Sequence, residues 1–147
     1  MECGIPRNPF INAGALVVTD SLLGSQAADE FTENLLAFIR SLADDNSIGI
    51  DKVVAQSERD TAFRNASLAH FMQSFGNLER PVSDVLDVYC NQCAIAMSCE
   101  QLARSALFLA NNGIDPLTNE RIVDEERARR LNSICLLYTS PSPRDRG

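Results

Sequence analysis

The sequence predicts a mainly helical chain, and three observations carry that prediction. Apolar residues recur at helical spacing in several separate windows. Capping residues and glycine stops punctuate those windows where helix ends are expected. No window shows the strict alternation of a half-buried strand, and no internal repeat is present. The total is about five or six helices.

The first element organises the rest. Arg7–Val18 reads Arg-Asn-Pro-Phe-Ile-Asn-Ala-Gly-Ala-Leu-Val-Val. Pro6 and Pro9 hold the incoming chain extended. Asn12 stands where a helix N-cap belongs, and Ala13, Gly14 and Ala15 follow with almost no side-chain volume, so another backbone or a small ligand can come close. Leu16, Val17 and Val18 extend an apolar run, which predicts a helix buried on all sides. A side-chain amide at the start of such a helix suits a small-molecule pocket; the plain alternative is a capping asparagine on a core helix.

Leu22-Leu23-Gly24 ends this helix with a glycine stop. Ser25 opens an amphipathic helix with Asp29 and Glu30 at its positive end. Its core stripe is Phe31, Leu35, Phe38 and Leu42, widened by Leu36 and Ile39. Ala43–Gly49 is a loop, and Asp51–Ala55 is ambiguous between a helical turn and an extended piece. In Gln56–Asn65, Ser57 with Asp60, or Asp60 alone, is the cap of a helix that carries Ala62, Ala66, Leu68, Ala69, Phe71, Met72 and Phe75 and stops at Gly76. His70, the single histidine, lies on it without a cysteine or serine partner and reads as structural.

Arg80-Pro81 breaks the chain, and Ser83 caps a helix with Val82, Leu86, Tyr89 and Cys93 on one face. Cys90 and Cys93 form Cys-x-x-Cys, but a zinc site needs four ligands and a redox motif wants a preceding strand, so these read as inert thiols. Ser98 and Gln101 form a capping box for a helix running to Asn112-Gly113. A turn-rich loop leads to Asp124, which caps a charged helix, Glu125–Ile134.

Composition sets further bounds. A net charge of −7 argues against nucleic acid. No window approaches the length of a membrane-spanning helix, and no signal pattern opens the chain. Five cysteines, an odd number at irregular spacing, suit a reducing, cytoplasmic setting. Cys135–Asp145 is the translation, in one reading frame, of a transposase adapter used in DNA library preparation. Residues 135–147 are therefore expected to be a non-native tail that neither orders itself nor packs, beside a native part over 1–134. Met1 precedes a buried motif by only a few residues, which reads as a piece of a longer open reading frame.

Three motifs together resemble the serine-dependent glutaminases, relatives in fold of the β-lactamases and penicillin-binding proteins. They are Asn8-Pro-Phe-Ile-Asn-Ala-Gly-Ala15, then Gln56-Ser-Glu-Arg59 with Arg64-Asn65, then Leu86-Asp-Val-Tyr89 leading into Cys93. Ala110-Asn-Asn-Gly113 and Thr118-Asn-Glu-Arg121 are also similar. The resemblance covers residues 4–134 and implies hydrolysis of L-glutamine to L-glutamate and ammonia through an acyl-enzyme. In that route a serine attacks and the lysine of Ser-x-x-Lys serves as base. It implies Asn12, Glu58, Asn65 and Tyr89 as substrate-binding residues; no cofactor and no metal are expected. A homo-oligomer is expected for the full-length protein, with L-glutamine as partner, and composition adds the expectation of no nucleic acid or membrane. The chain departs from the pattern in one respect. Its single lysine is Lys52, and Gly49 stands where the serine would be, so the chain is expected to be the helical subdomain of a β-lactamase-like α/β fold whose mixed sheet is largely missing. Two alternatives remain: a non-catalytic helical interaction module, and a thiol-dependent protein using Cys90 and Cys93.

One geometric expectation follows from the carried-over residues. In a single helix Glu58 and Asn65 would stand about two turns and roughly 10 Å apart, with parallel side chains. If both grip one glutamine, the backbone between them should not be one ideal helix. Glu58 is therefore expected before the helix or in its first turn, with Asn65 on the inner face. A Glu58 in mid-helix, or one aimed away from Asn12, Asn65 and Tyr89, would refute the shared pocket and return Asn12 to the role of a plain cap.

Overall fold

The computed structural model describes residues 1–139. The chain is mainly α, with one very short antiparallel pair of strands among the described residues. It divides into two compact units, one of Met1–Arg40 and Asn46–Met97, the other of Ser41–Asp45 and the described residues from Ser98 onward.

In the first unit α1 spans Asn12–Leu23, with Ile11 rather than Asn12 as the extended N-cap residue. This corrects the reading of Asn12 as a cap, for its side-chain amide is directed at another helix. Gly14 is required here because a Cβ would lie 1.8 Å from the Asn8 carbonyl oxygen. The small residues of the opening turn thus admit the chain's own Asn8-Pro9 backbone. Only one face of α1 is buried, through Ala13, Gly14, Leu16, Thr19, Asp20 and Leu23. Val18 and Leu22 are exposed, so the expectation of a helix buried on all sides does not hold. Consecutive helical residues point about 100° apart, so one packing face cannot cover a continuous apolar run.

The second helix, α2, spans Ala28–Ala43 with Asp29 and Glu30 in its first turn. Phe31, Leu36 and Leu42 are buried while Phe38 is exposed. Gly49–Ile50 forms β1, paired antiparallel with β2, Ile95–Ala96. Two residues are too few for alternation to show in sequence. The ambiguous Asp51 stretch is the start of α3, Lys52–Thr61, whose cap is Asp51: its carboxylate accepts from the Val53 and Val54 amides at 2.9 and 3.1 Å. That replaces the expected cap at Ser57 or Asp60. Asp60 is instead bonded within the helix by Gln56 Nε2.

A one-residue break at Ala62 (φ −70°, ψ 13°) separates α3 from α4, Phe63–Gln73. The last helix of this unit, α5, spans Val82–Cys93 and starts from Pro81, not Ser83. Proline serves because its missing N–H would be unpaired at a helix start in any case. The largest core cluster joins Ala13 and Leu16 of α1, Ala69 and Met72 of α4, and Leu78, Val82 and Val85 at α5, with Tyr89 packed against it. Three devices fix α5. The buried Asp20 carboxylate accepts from the Glu79 and Arg80 amides at 3.0 and 2.9 Å. Thr19 donates to Gln92 at 2.9 Å. Beyond α5, the Ala94 carbonyl accepts from the Asp51 amide, so the β1–β2 pair delivers α3 directly alongside α5.

In the second unit α6, Cys99–Ser105, has the full Ser98–Gln101 capping box. A break at Ala106 leads to α7, Leu107–Ala110. Gly113 (φ 86°) is held close to the Val123 carbonyl, where a Cβ would sit 2.2 Å from the oxygen. The buried Asp115 carboxylate receives both terminal nitrogens of Arg104, at 3.1 and 2.9 Å. This fork and the Leu117 amide hold its acid form down, to about 2. Asp124 caps α8, Glu125–Thr139, through the Arg127 amide. The helix therefore runs five residues beyond Ile134, into the stretch expected to be unordered, because nothing before Pro141 breaks it. Leu136, Leu137 and Tyr138 are exposed along it. The rest of the expected tail lies outside the described residues.

Candidate functional site

All four residues singled out by the sequence lie in the first unit, on four different helices. Asn12 opens α1, Glu58 lies in the C-terminal half of α3, Asn65 in the first turn of α4, and Tyr89 in α5. Asn12 Nδ2 donates to Asn65 Oδ1 at 2.9 Å. The bond leaves Asn12 Oδ1 as a free acceptor and Asn65 Nδ2 as a free donor. Asn12 is exposed and Asn65 half-buried, so both edges reach solvent or a ligand.

Glu58 and Tyr89 are within electrostatic reach of each other. Tyr89 is half-buried, and its phenol is raised to about 12 by burial, by a hydrogen bond with Cys93, and by the charges of Cys93, Glu58 and Cys90. At neutral pH it is a firmly protonated donor. Glu58 also contributes to raising the Cys90 and Cys93 thiols, for which burial is the largest cause. Its charge is therefore felt by Tyr89, Cys90 and Cys93 of α5. These thiols are pushed up, the opposite of what a reactive thiolate requires, and all five cysteines are free.

Glu58 in mid-helix is a correction. It was expected before the helix because a single helix through Asn65 would hold the two side chains parallel. The mid-helix position tells against the shared pocket, although the chain does break after Glu58, at Ala62, so that Asn65 belongs to a second helix. The backbone between them is not one ideal helix, but the break is on the other side. The structure thus joins Asn12 to Asn65 and sets Glu58 near Tyr89. Tyr89 also packs on the cluster containing Ala13, next to Asn12. No hydrogen bond among the described residues links Asn12 or Asn65 to Glu58 or Tyr89.

Sequence reasoning missed the group that fixes α3 on α5. Arg59 Nε donates to Asp87 Oδ1 at 2.6 Å and Arg59 Nη2 to Asn91 Oδ1 at 2.7 Å. Arg59 and Asp87 were in view as members of the motifs that carry Glu58 and Tyr89, yet no spacing rule pairs them. A cleft of about 510 Å3 between α2, α3 and α5 is walled by Arg40, Lys52, Gln56, Arg59 and Asn91. None of the four sequence-derived residues lines it.

The chain can now be compared with known proteins. The sequence model of the family described as Glutaminase matches residues 1–139. A glutaminase of Agrobacterium fabrum is 55% identical over 135 residues, which are 92% of this chain and 44% of that protein. A thermolabile glutaminase of Rhizobium etli is 56% identical with the same coverage. The chain thus spans less than half the length of these relatives. Among solved structures, a Bacillus glutaminase determined in 4.3 M NaCl superposes with a TM-score of 0.84 at 34% identity, covering 92% of this chain and 45% of that one. A Bacillus subtilis glutaminase carrying covalently bound 5-oxo-L-norleucine superposes with a TM-score of 0.82, also at 34% identity, covering 89% and 44%. On a match that runs through nearly all the described residues, with the motifs of Asn12, Glu58, Asn65 and Tyr89 inside it, the chain belongs to the glutaminase family.

Proposed function

We propose that this chain supplies the amino-acid-gripping part of an enzyme that hydrolyses L-glutamine to L-glutamate and ammonia through a Ser–Lys acyl-enzyme. The observation that carries the proposal is the Asn12–Asn65 bond, because it brings together two amides from motifs far apart in sequence and leaves a donor and an acceptor free. A zwitterionic ligand needs an anion for its ammonium, and Glu58 serves. Its carboxylate needs donors, and Asn65 Nδ2 and the protonated Tyr89 phenol are of the right kind. Catalysis additionally needs the serine and lysine of Ser-x-x-Lys, and that motif does not occur in this chain, whose single lysine, Lys52, follows Gly49 at that spacing. The proposed setting is cytoplasmic, in a homo-oligomer, without nucleic acid or membrane as partner. No helix among the described residues is long and apolar enough to cross a membrane.

The test is calorimetric titration of the 147-residue chain with L-glutamine and L-glutamate, beside D-glutamine. Stereoselective binding is expected, weakened roughly tenfold or more by Glu58→Gln, since a hydrogen bond to a charged group is worth about 1.5–3 kcal/mol. Turnover is not expected from this chain. Absence of binding, or binding indifferent to Glu58→Gln, would overturn the assignment.

A further inference from the structure

We propose that Arg59 is a positioning residue: by bridging Asp87 and Asn91 it holds its chain neighbour Glu58 over the Tyr89 side of α5. The inference rests on the reading of Glu58 as the ligand's ammonium acceptor.

The geometry follows from helix rotation. On α5, Asp87 and Asn91 are one turn apart and share a face, as do Tyr89 and Cys93, and the two faces are separated by about 200° of rotation. Cys90 falls between them and is 1% exposed. It is within the fields of both Arg59 and Glu58 of α3. Consecutive residues on α3 diverge by about 100°, so Arg59 and Glu58 cannot both point down at Cys90. One descends each flank of α5. Arg59 takes the Asp87–Asn91 flank through two bonds of 2.6 and 2.7 Å, and Glu58 takes the other.

The plain alternative is a surface staple between helices. At side-chain exposures of 31% and 41%, an ion pair stabilises little. What the contact supplies is orientation. Nε and Nη2 of one planar guanidinium engage two acceptors a helical turn apart, which fixes both the rotation of α3 about its own axis and its register along α5. A lysine ammonium is a single point and cannot specify both.

Cys93 is a built-in reporter of where Glu58 points. Enough of the residue is exposed to react, while partial desolvation of the sulfur raises the thiol, the Tyr89 hydrogen bond lowers it and Glu58 raises it again. The experiment is the pH dependence of Cys93 alkylation by iodoacetamide, followed by peptide mass spectrometry with exposed Cys99 as internal standard. It is run on the full chain, on Arg59→Gln, on Glu58→Gln and on the double variant. Positioning predicts that Arg59→Gln lowers the Cys93 midpoint by roughly half a pH unit, about a threefold faster reaction below it. It also predicts that the same substitution adds nothing once Glu58 is neutral. Arg59→Lys should fall between, and it serves if the glutamine variant does not fold. A merely structural clamp loosens α3 whatever residue 58 is. An equal shift in the Glu58→Gln background, or no shift at all, overturns the proposal. The thiol readout needs no ligand. If the unaltered chain fails to bind L-glutamine, the ligand reading falls while the alkylation cycle still decides the geometry.

Discussion

Asn12 on α1 donates its side-chain amide to Asn65 on α4 at 2.9 Å, across 53 residues of sequence. The bond is exposed, so its worth to stability is small, about 1 kcal/mol or less. Its consequence is orientation: with Asn65 Oδ1 occupied, the Asn65 amide presents N–H outward. Asn12→Asp should invert this, because a carboxylate can only accept and would turn the Asn65 amide around. The expected outcome is L-glutamine binding weakened roughly tenfold or more with the unfolding midpoint within about 3 °C of the original, read by calorimetry and thermal denaturation.

Gly14 is fixed by the backbone that crosses it. An added Cβ would meet the Asn8 carbonyl oxygen at 1.8 Å, and the Asn8-Pro9 turn, stiffened by the Phe10 amide bonding Asn8 Oδ1 at 2.9 Å, has little room to yield. Gly14→Ala should therefore destabilise by about 1–3 kcal/mol, although alanine is the better helix former. Urea denaturation measures it, and an unchanged or raised midpoint would show that the loop gives way freely.

Asp115 couples the second unit to pH. Its acid form is lowered from 3.8 to about 2, first by the Arg104 hydrogen bond and next by the Leu117 amide. A folded-state value below the unfolded one gives stability that is complete above about 4 and lost as pH falls through about 2. The unfolding midpoint should drop across that window, and Asp115→Asn should flatten the drop while lowering stability at pH 7. Arg104→Ala should be worse than Asp115→Asn, since it leaves a buried carboxylate without its cation.

Removal of residues 135–147 should change little. Leu136 and Leu137 are 67% and 71% exposed on the last turns of α8, so the shortened chain should melt within about 2 °C of the original and aggregate less. A loss of several degrees in differential scanning calorimetry would mean that the end of α8 packs.

Tyr89 sets an upper pH limit on the first unit. Raised from 10.0 to about 12 chiefly by burial, its phenol contributes stability fully present below about 10 and lost as pH rises through 12. Tyr89→Phe should remove that alkaline loss, as followed by circular dichroism, and should weaken L-glutamine binding at pH 7.

Local signals determined most of the helices: the Ser98–Gln101 box, Asp124, the glycine stops at Gly24 and Gly76, and the acidic first turn of α2 all act within a few residues of where they stand. The resemblance of the three motifs identified the family and named Asn12, Glu58, Asn65 and Tyr89. Tertiary structure decided where those residues stand relative to one another. Asn12 looked like a cap because caps are local, but its partner is on α4, and a hydrogen bond between distant segments has no period in sequence. The break at Ala62 occurs at a residue of high helix propensity, so only the packing of α3 on α5 and of α4 on α1 explains why the helix turns there. Arg59 shows the same limit: its neighbours along the chain reveal a charge, and only the crossing of two helices turns that charge into a fork around Asp87 and Asn91.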